Sequence, residues 1–167
     1  MKEAKANGVF KNGLPIMSIN GKKYPQSVAL LRYVGKKSNL YPVDHDKALT
    51  CDVIMDIVTD ILSKAPQDSD PDKKKTLREE FAAGKMKTLS EDIVNVLKQS
   101  SEESGYSTGP SLCIADFWLY NCVAMVKSGH YDYIPTNYFD QFSEIISLCN
   151  KVAKIDDVKE HITYQSK

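Results

Sequence analysis

The chain has 167 residues, enough for one domain or for two small lobes sharing an interface at ~150 residues per domain. Its 42% hydrophobic and 26% charged residues are ordinary globular values and exclude disordered, collagen-like and coiled-coil classes. Lys plus Arg and Asp plus Glu both number 22, so the net charge is zero and no overall field draws the chain to nucleic acid or to an anionic membrane.

The longest apolar runs, Val28 to Leu31 and Cys122 to Val126, are far shorter than the ~18 residues of a membrane span. Residues 1–10 carry two lysines but no apolar core, so no secretory signal is expected there. Cys51, Cys113, Cys122 and Cys149 stand far apart with no Cys-x-x-Cys, which fits a reducing, cytoplasmic setting.

Leu14 to Ile19 reads as a first strand, Asn20-Gly21 as a two-residue type I′ hairpin turn, and Lys22 to Pro25 as a second strand. Ser27 is a side-chain cap for a helix whose face carries Val28, Leu31 and Val34 with Leu30 and Tyr33 beside them, ending between Gly35 and Asn39. Ser38 to Lys47 reads as a linker, and everything beyond it as helical. The spacing predicts a helix over 46–65 with Ile54, Ile57, Val58, Ile61 and Ala65 on one side. Asp70-Pro71 opens a second long helix that runs to Ser100 and buries Leu77, Phe81, Leu89, Ile93 and Val96; a polar loop follows over 101–110.

The third helix of this half starts at Cys113, with Asp116 at its third position and Leu112 and Phe117 placed as a hydrophobic staple. This is capping-box logic with cysteine in place of serine or threonine. Phe81, Phe117, Trp118 and Leu119 are expected to contribute to the packing. Helices over 137–151 and 155–164 complete a bundle of about five.

His45, His130 and His161 lie in separate segments without ligand-spaced partners, so no metal site is expected and the histidines read as surface residues. No Gly-x-Gly-x-x-Gly, P-loop or Gly-x-Ser-x-Gly is present, and Lys73 to Lys75 reads as a solvated helix face. What remains is Leu14-Pro15 together with Gln26-Ser27. A proline at the start of an apolar strand suggests a bend or a cis peptide that exposes neighbouring backbone groups. Ser27 at a helix N-terminus offers a hydroxyl and free N–H groups to a carboxylate, which the helix dipole favours.

The segment NGLPIMSINGKKYPQSVALLRYVGKKSNLYP resembles the second half of a glutathione S-transferase N-terminal domain, nearest the sigma class, and CIADFW resembles the capping element of that family's sixth helix. The resemblance implies an α/β plus all-α fold: a partial thioredoxin-like glutathione-binding domain over 1–43 and an all-helical C-terminal domain over 44–167, usually in a homodimer. It implies that Leu14 offers its backbone to the cysteinyl part of glutathione with Pro15 in cis behind it. Gln26 and Ser27 would hold the γ-glutamyl carboxylate. Asp52, Asp56 and Asp60 form one stripe opposite the apolar face of their helix. A solvated face explains them, and in the resembling family the position of Asp60 reaches the γ-glutamyl ammonium across the dimer.

Glutathione is then a co-substrate rather than a cofactor, and the partner is a hydrophobic electrophile attacked by the glutathione thiolate. Thirteen residues precede Leu14, and a βαβ unit needs ~30, so a truncated form without the family's first strand–helix–strand is expected. With it goes the tyrosine that favours the thiolate, and no catalytic residue is assigned. Such a chain is expected to be poorly soluble and nearly inactive alone. Gly13 stands where a polar residue is usual, and Lys5 and Lys11 are the candidates to meet the glycyl carboxylate. The alternative function is a non-catalytic, crystallin-like structural or partner-binding protein.

Overall fold

The computed structural model describes residues 14–100 and 105–165, with side chains through Glu160. The readings at Lys5, Lys11 and Gly13, at residues 101–104 and at the His161 side chain lie outside this range.

Two strands, β1 (Ile16–Ile19) and β2 (Lys22–Pro25), pair antiparallel with Ile16 opposite Pro25 and Ile19 opposite Lys22. Asn20 (φ 50°) and Gly21 (φ 76°) both take positive φ, as the type I′ turn requires. Helix α1 (Ser27–Lys37) follows and packs on β2. It closes at Ser38, whose N–H and hydroxyl both donate to the Val34 carbonyl, and Asn39 beyond it is left-handed at φ 57°. Leu30 is the apolar side chain of α1 that is fully buried, whereas Tyr33 and Val34 are exposed. The apolar side read from the sequence is therefore wider than the part that the described residues cover.

Helix α2 (His45–Lys64) starts one residue earlier than the spacing predicts, because Asp44 is its cap: the Asp44 carboxylate accepts the Lys47 N–H at 3.0 Å. Ile54, Val58, Ile61 and Ala65 are buried as expected, joined by Cys51 and Met55. Helix α3 (Pro71–Phe81) has the expected Asp70 cap and proline at its first position.

The single helix expected up to Ser100 is interrupted. Ala82–Met86 forms a π-helical segment before α4 (Lys87–Ser100). Phe81 and Met86, five residues apart, are both buried, and the wider π turn accommodates that spacing. Buried Tyr138 donates its hydroxyl to the Ala82 carbonyl at 3.0 Å, giving a partner to a backbone group within the altered turn.

Helix α5 (Ile114–Lys127) is followed by a 3₁₀ turn at Tyr138–Gln141, then α6 (Ser143–Val152) and α7 (Asp156–Gln165). The continuous helix expected over 137–151 is broken at Phe142 (φ −109°, ψ 86°), where the chain turns to bury Tyr138, Phe139 and Phe142 in one aromatic cluster. Leu119 is fully buried and Phe81 nearly so, while Phe117 and Trp118 are half-buried. The Trp118 indole donates to the Thr59 hydroxyl at 3.3 Å, joining α5 to α2.

Arg78 is 2% exposed. Its guanidinium donates to the Pro66 and Asp132 carbonyls, both at 3.0 Å, and lies over the Tyr131 ring. The chain divides into two units, Met1–Tyr41 with the hairpin and α1, and Pro42–Lys167 with the remaining helices.

Candidate functional site

The hairpin register assembles the first four site residues. Ile16 pairs with Pro25 at the last rung of the ladder, so Leu14-Pro15, which leads into β1, and Gln26-Ser27, which follows β2, lie at the same end of the hairpin. The Leu14-Pro15 peptide is cis, as expected, and Leu14 is 68% exposed. Pro15, lacking an N–H, ends the ladder and leaves the Leu14 backbone outside the sheet.

Gln26 and Ser27 open α1, but with roles different from those read in the sequence. Gln26, not Ser27, is the cap: its carbonyl accepts the Leu30 N–H at 3.0 Å, and Ser27 is the first helical residue. No side chain caps this end. The first N–H groups of α1 are therefore directed past Gln26 with the positive end of the helix dipole behind them. Gln26 takes φ 80°, ψ 100°, outside the regions favoured by residues with a side chain. An outlier of this kind is held only where the surrounding structure demands it. Here it presents the Gln26 amide, the Ser27 hydroxyl and the helix N-terminus at one end of the hairpin, a set of donors suited to a carboxylate.

Asp60 lies on α2, in the other unit, and the structure does not group it with these four. Its carboxylate accepts from Lys64 Nζ at 2.6 Å, an i,i+4 pair that the Asp-x-x-x-Lys spacing carries and the sequence reading passed over. Asp60 is half-exposed, as is Asp52, and Asp56 is exposed. His45 and His130 are exposed as expected. Among the described residues, no three His, Cys, Asp or Glu side chains cluster as a metal would require.

The start of α5 is the most elaborate polar arrangement in the helical unit. Asp116 is fully buried; one carboxylate oxygen accepts the Cys113 N–H at 2.7 Å, the bond expected of the cap, and the other accepts the Ser107 N–H at 2.8 Å. Burial raises the Asp116 carboxyl above its ordinary range, and the two backbone donors oppose that shift. The Cys113 thiol touches the Ser107 hydroxyl at 3.3 Å. The influence of the Cys51 thiol lowers Cys113 against the effect of burial, and that of Cys113, together with burial, raises Cys51.

The family described as "Glutathione S-transferase, C-terminal domain" matches residues 55–165. The chain is 41% identical over 63 residues to glutathione S-transferase 2 of Manduca sexta, covering 38% of this chain and 30% of that protein. With a glutathione S-transferase of Tyrophagus putrescentiae it shares 26% identity over 155 residues, covering 91% and 65%. The chain thus spans less than two thirds of either relative. Among solved structures, prostaglandin synthase D of Nilaparvata lugens superposes with a TM-score of 0.80 at 22% identity, covering 96% of this chain and 78% of that one, which shows the α/β-plus-all-helical fold. Because the family match takes in the helical unit from the middle of α2 to the end of α7, the chain belongs to the glutathione S-transferase family.

Proposed function

We propose that the hairpin and α1 bind the γ-glutamyl end of glutathione, and that the chain takes part in conjugating glutathione to hydrophobic electrophiles as a sigma-class-like transferase. The observation that supports this reading is the register that puts Leu14-Pro15 and Gln26-Ser27 at the same end of the hairpin, with no side chain capping the helix that starts there. In it, the backbone of Leu14 pairs with the cysteinyl residue, and Gln26, Ser27 and the α1 N–H groups hold the γ-glutamyl carboxylate. Asp60, acting from a second subunit of a homodimer, meets the γ-glutamyl ammonium and exchanges its bond to Lys64 for it. The division into domains at 43/44 and a cytoplasmic location belong to the same proposal.

Thiolate, not thiol, is the nucleophile in conjugation, and its formation needs a hydrogen bond to the sulfur. The proposal gives that bond to a strand–helix–strand segment that the described residues do not include. Turnover is therefore to be measured with a generic aryl halide on the 167-residue chain and on a fusion supplying such a segment. The chain alone is expected barely above the uncatalysed rate, with saturable turnover in the fusion.

Binding is tested by calorimetry. Ser27→Ala removes a hydroxyl donor to a charged group and is expected to weaken glutathione about tenfold, the equivalent of about 1.4 kcal/mol. Unchanged affinity overturns the placement of the carboxylate. A second reading, a non-catalytic partner-binding protein, is favoured by the exposure of Tyr24, Tyr33 and Val34 on the first unit. Its outcome is glutathione binding absent in both the parent and the fusion.

A further inference from the structure

Asn7, Asn12 and Asn20 each stand directly before a glycine, and Asn20 is the one within the described residues. Asn20 and Gly21 form the hairpin turn, both exposed, with φ of 50° and 76°. A turn of this type is closed between its flanking residues, Ile19 and Lys22, so the Gly21 N–H takes no part in the ladder. Gly21 carries no side chain, and a Cβ added there would meet nothing within 4 Å, so the turn stands open around it. Asn39 supplies the contrast in the same unit. It too is exposed and left-handed, at φ 57°, but a branched residue follows it, and the Leu40 N–H is held by the Gly35 carbonyl at 2.8 Å.

We propose that Asn20-Gly21 is a site of spontaneous deamidation, and that the isoaspartate it yields undoes the hairpin register. In the first step the Gly21 nitrogen attacks the Asn20 side-chain carbonyl carbon; a C–N bond forms, the Cγ–Nδ2 bond breaks, and ammonia leaves with the Gly21 proton, closing a succinimide. In the second, water adds to one of the two imide carbonyl carbons, that C–N bond breaks, and a proton returns to the Gly21 nitrogen. The sum is one asparagine and one water giving one acidic residue and one ammonia. The ring closes only when the turn opens enough to bring the nitrogen onto the side chain, and a two-stranded hairpin is a weak element that opens readily. Water entering at the side-chain carbonyl gives aspartate, which keeps the turn because Asp-Gly suits type I′ as Asn-Gly does. Entry at the backbone carbonyl gives isoaspartate, whose main chain is one methylene longer. That lengthens a connection whose two-residue span sets Ile19 opposite Lys22. The same register holds Leu14-Pro15 and Gln26-Ser27 at one end of the hairpin, so loss of the ligand site follows on the reading proposed above, whereas the chemistry at Asn20 does not depend on it.

The test incubates the 167-residue chain in mildly alkaline buffer and maps its peptides by mass spectrometry, with isoaspartate scored by methyl transfer from an isoaspartyl methyltransferase. The result expected is exchange of NH2 for OH at Asn20, with isoaspartate among the products and Asn39 unchanged. Asn20→Gly, which keeps a turn of the same type, removes the modification from that peptide. For the register, Asn7→Gln and Asn12→Gln confine the reaction to Asn20, and the isoaspartate form is separated by ion exchange. Its cross-strand NOEs between Met17 and Tyr24, which the untreated chain shows, are expected to be lost. An unchanged Asn20 peptide, or reaction at Asn39 as fast as at Asn20, overturns the site; Met17–Tyr24 contacts retained in the isoaspartate form overturn its effect on the register. The peptide map of the parent chain decides the first question even if a variant fails to fold.

Discussion

Asp116 illustrates how one side chain serves two segments. Its carboxylate closes the first turn of α5 through Cys113 and fixes the preceding loop through Ser107. Asp116→Ala leaves both buried N–H groups without an acceptor, and a loss of about 2–4 kcal/mol is expected in urea denaturation; a loss below 1 kcal/mol would mean that water replaces the carboxylate. Because burial raises this carboxyl above its ordinary 3.8, the fold favours the protonated form, and the group's own contribution to stability declines as pH rises through its folded pKa. Gly105 is a further constraint in the same loop: a Cβ there would collide with the Gly109 carbonyl oxygen. Gly105→Ala is expected to lower the thermal midpoint. The bond from Asp116 to Cys113 was legible because a cap lies three residues from its partner in the chain. The bond to Ser107 was not, since it depends on where a loop folds back.

At the scale of elements, the helices with charged or proline-marked starts were readable and the interruptions inside helical runs were not. Asp44, Asp70 and Cys113 stand at caps that local chemistry specifies, although Asp44 was passed over in favour of Asp46. The π segment over Ala82–Met86 has no proline and a single glycine, and its cause is the five-residue spacing of Phe81 and Met86 against a core that forms only on folding. At Gly84 an added Cβ meets nothing within 4 Å and φ is not positive. Gly84→Ala is accordingly expected to be neutral or to stabilise by up to about 1 kcal/mol, read as a rise in urea midpoint. Marked destabilisation would show that the segment needs glycine itself. The Leu14-Pro15 and Gln26-Ser27 grouping was legible because Asn20-Gly21 specifies the hairpin register. The left-handed Gln26 was not, since only the junction of β2 and α1 imposes it.

For the whole chain, the helical unit holds the buried thiols and the hairpin unit the proposed ligand site, so each gives a separate readout. Cys122 and Cys149 are raised by burial from 9.0 to about 12, so unfolding releases their protons between those limits. Their stabilising contribution is complete below pH 9.0 and declines as pH rises toward about 12. Urea denaturation across that window is expected to show a falling midpoint, with a shallower slope in the Cys122→Ala, Cys149→Ala double variant. An equal slope would assign alkaline unfolding to other groups. The central claim, that the end of the hairpin recognises the γ-glutamyl group, is tested most directly by titrating the chain in parallel with glutathione and with cysteinylglycine, which lacks that group. Saturable glutathione binding with cysteinylglycine at least about tenfold weaker is the result expected; equal affinities, or no binding of either, would contradict it.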